Sequence, residues 1–191
     1  MKFTRLTVFA TALLLTTIVQ AQRDESLFGP RHAALTGIWG GVTHNYSAFE
    51  DDWSYLRGGH FGLEFGNSIL LGWSGAGTRD EVSVNDVTST FNLKYNGFLV
   101  GYSPMSGKVV HPRISLLTGR GRLNVNENGD DRVFVLQPSA GIEVNVFQWF
   151  RVGLEGGYRI VDGIDKSALR RRDVSSPFAQ LDLRFGFSWG R

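Results

Sequence analysis

The sequence predicts an all-β chain whose eight antiparallel strands close into a barrel, and three observations carry that prediction. From Ala33 onward apolar and polar residues alternate with period two, and helical periodicity is almost absent. Turn signals divide the stretch into eight segments, an even number that brings both ends of a barrel to one side. The connections alternate in length, short or compact after every second strand and mostly longer and polar after the others. Composition agrees with this frame. A chain of 191 residues has room for one domain, and 24 Gly with 14 Phe, 5 Tyr and 5 Trp, at only 20% charged residues, describe an ordered protein. The absence of Cys excludes a disulfide scaffold, a Cys-ligated zinc site and a thiol enzyme.

Residues 1–21 read as a cleaved signal peptide. Lys2 and Arg5 form a basic start, residues 6–19 are apolar apart from Thr, and Val19-Gln20-Ala21 stands where signal peptidase reads small or branched residues. The apolar run is shorter than the roughly 20 residues a membrane-crossing helix needs. Residues 22–191 are then expected to form a single exported β-barrel domain. Lys2 and Arg5 carry all of the formal net charge of +2, so the remainder is neutral overall and offers no argument for nucleic acid.

Strands are expected over residues 33–45, 56–65, 68–77, 89–102, 112–125, 133–146, 150–161 and 177–189. The first is ambiguous, because Leu35 and Trp39 compete with Ile38 and Val42 for one face. In the second, Phe61, Leu63 and Phe65 alternate with His60, Gly62 and Glu64. In the fourth, Phe91, Leu93 and Tyr95 share one parity and Phe98, Val100 and Tyr102 the other, so a β-bulge is expected at Asn96-Gly97. The fifth breaks phase in the same way, with Ile114 and Leu116 out of step with Leu117, Leu123 and Val125. In the seventh, Val152, Leu154, Tyr158 and Ile160 alternate with Arg151, Glu155 and Arg159. The eighth is the clearest: Ala179, Leu181, Leu183, Phe185, Phe187 and Trp189 interleave with Gln180, Asp182, Arg184, Gly186 and Ser188. Short connections fall at residues 66–67, 103–111 and 147–149, and long ones at 46–55, 78–88, 126–132 and 162–176.

The polar face decides between two kinds of barrel. It carries Glu64, Lys94, Arg120, Arg122, Glu143, Arg151, Glu155, Arg159, Asp182 and Arg184, and pointing each Arg or Lys at lipid would cost about 2–4 kcal/mol at a bilayer midplane. These residues are therefore expected to line the lumen as a structural charge network, with Arg120, Glu143, Glu155, Arg159 and Asp182 pairing across it. Gly62, Gly72, Gly141, Gly153 and Gly157 would make room for the long side chains. Aromatic residues gather at both strand ends, where amphipathic rings favour a bilayer interface. Phe65, Tyr102, Phe147, Trp149, Phe150, Phe187 and Trp189 lie on the short-turn side. Tyr46, Trp53, Tyr55, Phe91, Tyr95, Phe134, Tyr158 and Phe178 lie on the other. The expected fold is an eight-stranded antiparallel transmembrane β-barrel of the outer-membrane type, with both termini in the periplasm. The alternative is a soluble, lipocalin-like barrel that hides an apolar face around a ligand.

With these residues in view, the chain resembles the small outer-membrane β-barrel proteins of Bacteroidota, many of them uncharacterised. The resemblance rests on Phe28-Gly29, Gly37-Ile38-Trp39-Gly40-Gly41, the run from Gly58-Gly59-His60 to Glu64-Phe65, Gly156-Gly157-Tyr158-Arg159, and the ending from Leu183 to Gly190. It departs from the pattern in ending on Trp189-Gly190-Arg191 where such barrels often end on an aromatic residue. The resemblance implies fold and location and supplies no catalytic residues.

Motifs for catalysis are missing: there is no phosphate-cradling loop, no His pair at i and i+4 and no nucleophile elbow. His44 with Ser47 at the end of the first strand is the one arrangement that would suit a lipid-modifying outer-membrane enzyme, which stays as a second alternative. Glu50, Asp51 and Asp52, and Asn126, Glu127, Asn128, Asp130 and Asp131, are hard oxygen donors that suit Ca²⁺, without a spaced ligand pattern. Arg170-Arg171-Arg172 suits lipopolysaccharide phosphates or the acidic first loop. The expected role is structural, adhesive or loop-mediated binding by a monomer. No catalysis, wide pore, cofactor, metal or nucleic acid is expected. Its partners would be outer-membrane lipid and lipopolysaccharide, and an extracellular partner through the loops.

Overall fold

The computed structural model describes residues 34–49, 52–84, 87–125, 130–163 and 175–189, and of these it describes 49, 52, 79–84, 87–91, 125 and 130 by backbone alone. Eight strands follow in order: β1 (Leu35–Phe49), β2 (Asp52–Phe65), β3 (Ile69–Val84), β4 (Val87–Tyr102), β5 (Val110–Val125), β6 (Asp130–Phe147), β7 (Phe150–Asp162) and β8 (Ser176–Ser188). Each pairs antiparallel with the next, and β1 pairs with β8 from Gly37↔Ser188 to Ser47↔Phe178, so the sheet closes. Closure leaves no edge of unpaired amides and carbonyls, the condition for strands in a medium without water. The start of β1 and the end of β8 lie beside the β2–β3 turn: the Gly66 amide donates to Ala34 at 2.9 Å and the Trp189 amide to Thr36 at 2.6 Å. Gly66 and Asn67 both take positive φ, 55° and 57°, and the Ser68 amide closes on the Phe65 carbonyl at 3.1 Å. Two positive-φ residues in succession make the type I′ hairpin that suits twisted strands.

At the opposite end the strands run further than their polarity implies. The connections there span residues 50–51, 85–86, 126–129 and 163–175. The long loops expected at 46–55 and 78–88 are thus largely strand, laddered from Tyr46↔Tyr55 to Phe49↔Asp52 and from Thr78↔Leu93 to Val84↔Val87, and the one expected at 126–132 gives its last three residues to β6. An antiparallel ladder is held by backbone groups, so polar residues prolong it. Their polarity marks where the sheet changes surroundings, and the fourth connection alone stays long.

The expected bulge at Asn96-Gly97 is absent. β4 alternates without interruption, Leu93, Tyr95 and Leu99 facing in and Lys94, Asn96, Phe98, Val100 and Tyr102 out, and its register with β3 and β5 is continuous. β5 keeps one phase too, with Arg113, Ser115, Leu117 and Leu123 inside and Ile114, Leu116, Arg120 and Arg122 outside. What changes along these strands is which face is apolar. Near the turn end the lumen is charged and the exterior apolar. Towards the other end Leu56, Leu93, Leu123, Val133, Val135 and Val161 fill the lumen, with Leu93 directly opposite Leu123, while the exterior of β4 to β6 is basic. Register irregularities occur instead between Leu35 and Gly37 and between Asn145 and Phe147. In β1 Trp39 wins the interior, leaving Ile38 outside.

Candidate functional site

The lower lumen is built around Glu143, which is fully buried. His111 Nε2 lies 3.1 Å from its Oε1 and Arg151 Nη1 3.4 Å, while Arg113 Nη1 reaches Oε2 at 3.2 Å and Arg184 Nη1 pairs with the same oxygen. Arg113 Nε also donates to Glu155 at 2.8 Å, and Arg151 Nη1 to Glu64 at 3.1 Å. Ser115 and Ser139 donate to Glu155 Oε2 at 2.5 and 2.6 Å. Trp39 lies beneath the Arg151 guanidinium, 3.8 Å from its ring centre. Burial of so many charges is tolerated only because each is paired and hydrogen-bonded.

Glycine makes room for this cluster. A Cβ at Gly41 would stand 2.6 Å from the His60 ring, and one at Gly101 would stand 3.2 Å from the Arg113 guanidinium. Gly62 and Gly72 face each other across β2 and β3, where a Cβ at Gly72 would meet the Phe61 carbonyl at 2.1 Å.

The structure places Glu64, Glu143, Glu155, Arg159, Asp182 and Arg184 in the lumen, but the pairing differs from the expected one. Arg159 meets no carboxylate among the described residues. It donates to Ser47 and Asn45 at 2.9 Å each and to Gln137 at 3.1 Å, with Tyr95 and Phe178 flanking its guanidinium. Tyr95 and Phe178 are accordingly lumen residues and not part of an interfacial band. Asp182 faces His60 at 3.6 Å, beside a small internal cavity also lined by Ser74 and Tyr95. That cavity holds about 30 Å³, the scale of a water molecule and far below the roughly 300–1,000 Å³ of a ligand pocket. Among the described residues the lumen holds no lipocalin-like apolar cavity.

Lys94, Arg120 and Arg122 correct the expectation most clearly: all three stand exposed on the outer face. The polar parity of β5 was read from its upper half, where the two faces have exchanged character. The same inference hid Arg113 and His111, which share their parity with Leu117 and Leu123 and so fell on the supposedly apolar face. His60 was visible in the alternation of the second strand but carried no charge signal.

His44 and Ser47 lie on opposite faces of β1. The His44 ring bonds to the Tyr55 hydroxyl outside, and the Ser47 hydroxyl donates to Asn45 inside at 2.8 Å, so the two do not form a nucleophile and base. Of the candidate Ca²⁺ donors, Asp131 is buried in the lumen. The others lie outside the described side chains, as do Arg170-Arg171-Arg172 and the leader. Among the described residues no cluster of three His, Asp or Glu is arranged to hold a metal.

The outer face of β4 to β6 carries the other concentration of charge. Lys94 stands directly opposite Arg122, and Arg122 opposite Arg132, while Asn96 faces Arg120 one step nearer the turn end. They border an open depression of about 650 Å³ that also includes Phe134.

No protein-family model and no curated protein matches the chain. Solved structures do match in fold. The chain is similar to Neisserial surface protein A (16% identity, TM-score 0.57, covering 79% of this chain and 96% of that one). It is also similar to the outer membrane protein OprG from Pseudomonas aeruginosa (11% identity, TM-score 0.56, 82% and 98%). A third match is Ail, the attachment invasion locus protein of Yersinia pestis, solved with the heparin analogue sucrose octasulfate (18% identity, TM-score 0.51, 81% and 99%). The architecture is that of the eight-stranded outer-membrane barrels.

Proposed function

We propose that the protein resides in the outer membrane as a plugged, monomeric barrel and works through its outer surface and loop end, in a structural, adhesive or binding role without catalysis or a wide pore. One observation carries this reading: polarity is inverted relative to a soluble protein. Ile38, Phe61, Phe98, Val110, Ile114, Leu154 and Phe187 are all more than half exposed, around a lumen of buried charges. Soluble monomers rarely expose apolar patches beyond a few hundred Å², and lipid satisfies such a surface. Aromatic rings at the turn end support it, Trp149 stacking with Phe147 at 5.5 Å and with Phe185 at 6.3 Å, as interfacial belts do.

The leader delivers the chain to the periplasm, and both termini stay there with the short turns. The plugged lumen speaks against diffusion through it, since the charged cluster below and the aliphatic layer above occupy the bore. The fold match to Ail with a heparin analogue supports a barrel of this size presenting a binding surface to a polyanion. Membrane residence is tested by carbonate extraction and by gel mobility before and after boiling. The protein should stay in the membrane fraction and shift on boiling, and in planar bilayers it should open no stable channel. Recovery of soluble protein from the periplasm would overturn the reading.

A further inference from the structure

We propose that the exposed cations on the outer face of β4, β5 and β6 form a binding site for the phosphates of a phosphorylated glycolipid in the outer leaflet; this rests on the outer-membrane reading above. The register aligns them in a lateral row. Arg57 is opposite Gly77, Gly77 opposite Lys94, Lys94 opposite Arg122 and Arg122 opposite Arg132, with Arg120 one step below. The Lys94 side chain lies across Gly77, where a Cβ would stand 3.1 Å from its Cγ, and so bridges towards Arg57.

Like charges directly opposite on a sheet destabilise it, and this row contains two such pairs in succession. No ion pair joins Lys94, Arg120, Arg122 or Arg132 to a carboxylate among the described residues. Of the described side chains on the outer faces of β3 to β7, Asp162 is the one carboxylate. It sits beside Phe134 and accepts the Gly163 amide at 2.9 Å. An anion from the surroundings would relieve that repulsion.

Height selects which anion. Lys94 is eight residues above the girdle residue Tyr102 on β4, and Arg122 is eight above Ile114 on β5. At about 3.3 Å per residue along a strand tilted about 40°, that is about 20 Å above the turn-end interface. The lipid-facing band of such barrels is about 25 Å tall. The row thus lies at the far boundary between acyl chains and headgroups. Phe98, Val100, Ile114 and Leu116 beneath it offer an apolar exterior to the acyl chains. Cations above an apolar wall match an amphiphile whose phosphates sit directly on its acyl portion, and guanidinium groups bind phosphate through paired charge-assisted bonds.

The test uses the folded barrel purified from the outer membrane in mild detergent. It is titrated in mixed micelles with bis-phosphorylated lipid A, and its unfolding temperature is read from the loss of the folded gel band. Lipid A should raise that temperature, while dephosphorylated lipid A and inorganic phosphate should not. The variant Arg120→Gln/Arg122→Gln/Arg132→Gln should lose the shift, each contact removed weakening binding by about tenfold, and Lys108→Gln at the turn end should keep it. Without lipid the triple variant should unfold at or above the wild-type temperature, because like-charge repulsion is relieved, which separates lost binding from lost folding. Should the triple variant fail to fold, Arg122→Gln, flanked by cations on both sides, serves instead. An equal shift in the variant, or with dephosphorylated lipid, overturns the proposal. So does a shift produced by inorganic phosphate or a heparin fragment and not by lipid A. A membrane-resident barrel with no phosphate-dependent shift overturns this proposal alone, whereas a soluble protein overturns the membrane reading beneath it.

Discussion

Replacing Glu143 by Leu should be among the most destabilising single changes in the barrel. Glu143 is fully buried and receives four cationic or imidazole groups. After its removal Arg113 keeps Glu155 and Arg151 keeps Glu64. Arg184 does not fare as well: its Nη1 pairs with Glu143, and its Nε has no hydrogen-bond partner. A buried guanidinium deprived of its carboxylate costs about 3–5 kcal/mol. Glu143→Gln keeps an acceptor oxygen and loses the charge, so its cost should be smaller, about 1.5–3 kcal/mol. Arg184→Leu should cost less than Glu143→Leu, because Glu143 keeps His111, Arg113 and Arg151. The double variant Glu143→Leu/Arg184→Leu should then be milder than the sum of the singles by about 2–3 kcal/mol, because the guanidinium orphaned in Glu143→Leu is gone. The measurement is an equilibrium urea titration in lipid vesicles, read by the folded gel band and by tryptophan fluorescence. Additivity of the two singles within about 0.5 kcal/mol would refute the idea that they act as one buried pair.

Three further outcomes follow from the placement of particular side chains. Leu183→Arg puts a cation on the lipid-facing wall between Val42 and Val152, six residues along the tilted strand from Trp189 and so about 15 Å above it along the membrane normal. It should cost about 2–4 kcal/mol in the same titration, and an unchanged midpoint would place Leu183 elsewhere. Tyr95→Phe removes the hydroxyl that donates to Gln137 at 2.7 Å and should cost about 1 kcal/mol, whereas a stability equal to wild type would mean that this bond contributes nothing. An epitope tag after Ser167, in the long fourth connection, should be stained on intact cells, and one between Gly107 and Lys108 only after the outer membrane is opened. The second site is chosen because Gly107 is exposed with open space around it, while the neighbouring Ser106 is buried and donates to the Asn67 carbonyl. Reversed staining would invert the topology.

Period-two patterning determined the facing of β2, β7 and β8, and together with the turn signals and the alternating connection lengths it determined the fold class and the strand count. One residue of slip reverses every side chain of a strand, so Asp182 and Arg184 against Leu181, Leu183 and Phe185 leave a single solution. The same pattern misled in β4 and β5. Alternation reports parity, and it names the inner face only where that face keeps one chemical character along the whole strand. Here it does not: Leu93, Leu117 and Leu123 share parity with Tyr95 and Arg113, and the assumption of a constant polar interior turned a change of surroundings into an expected bulge. Lys94, Arg120 and Arg122 were assigned to the lumen for the same reason. Only closure of the barrel decided which carboxylate meets which arginine, because Glu143, Arg184 and Glu64 come from strands distant in sequence and their pairing depends on registers summed around the ring. Closure also decided that Arg159 is satisfied by neutral acceptors, whereas His44 and Ser47 part to opposite faces because β1 runs on to Phe49 and they stand three residues apart on it. The row from Arg57 to Arg132 is likewise a product of register across β2 to β6, in which residues far apart in the chain become lateral neighbours.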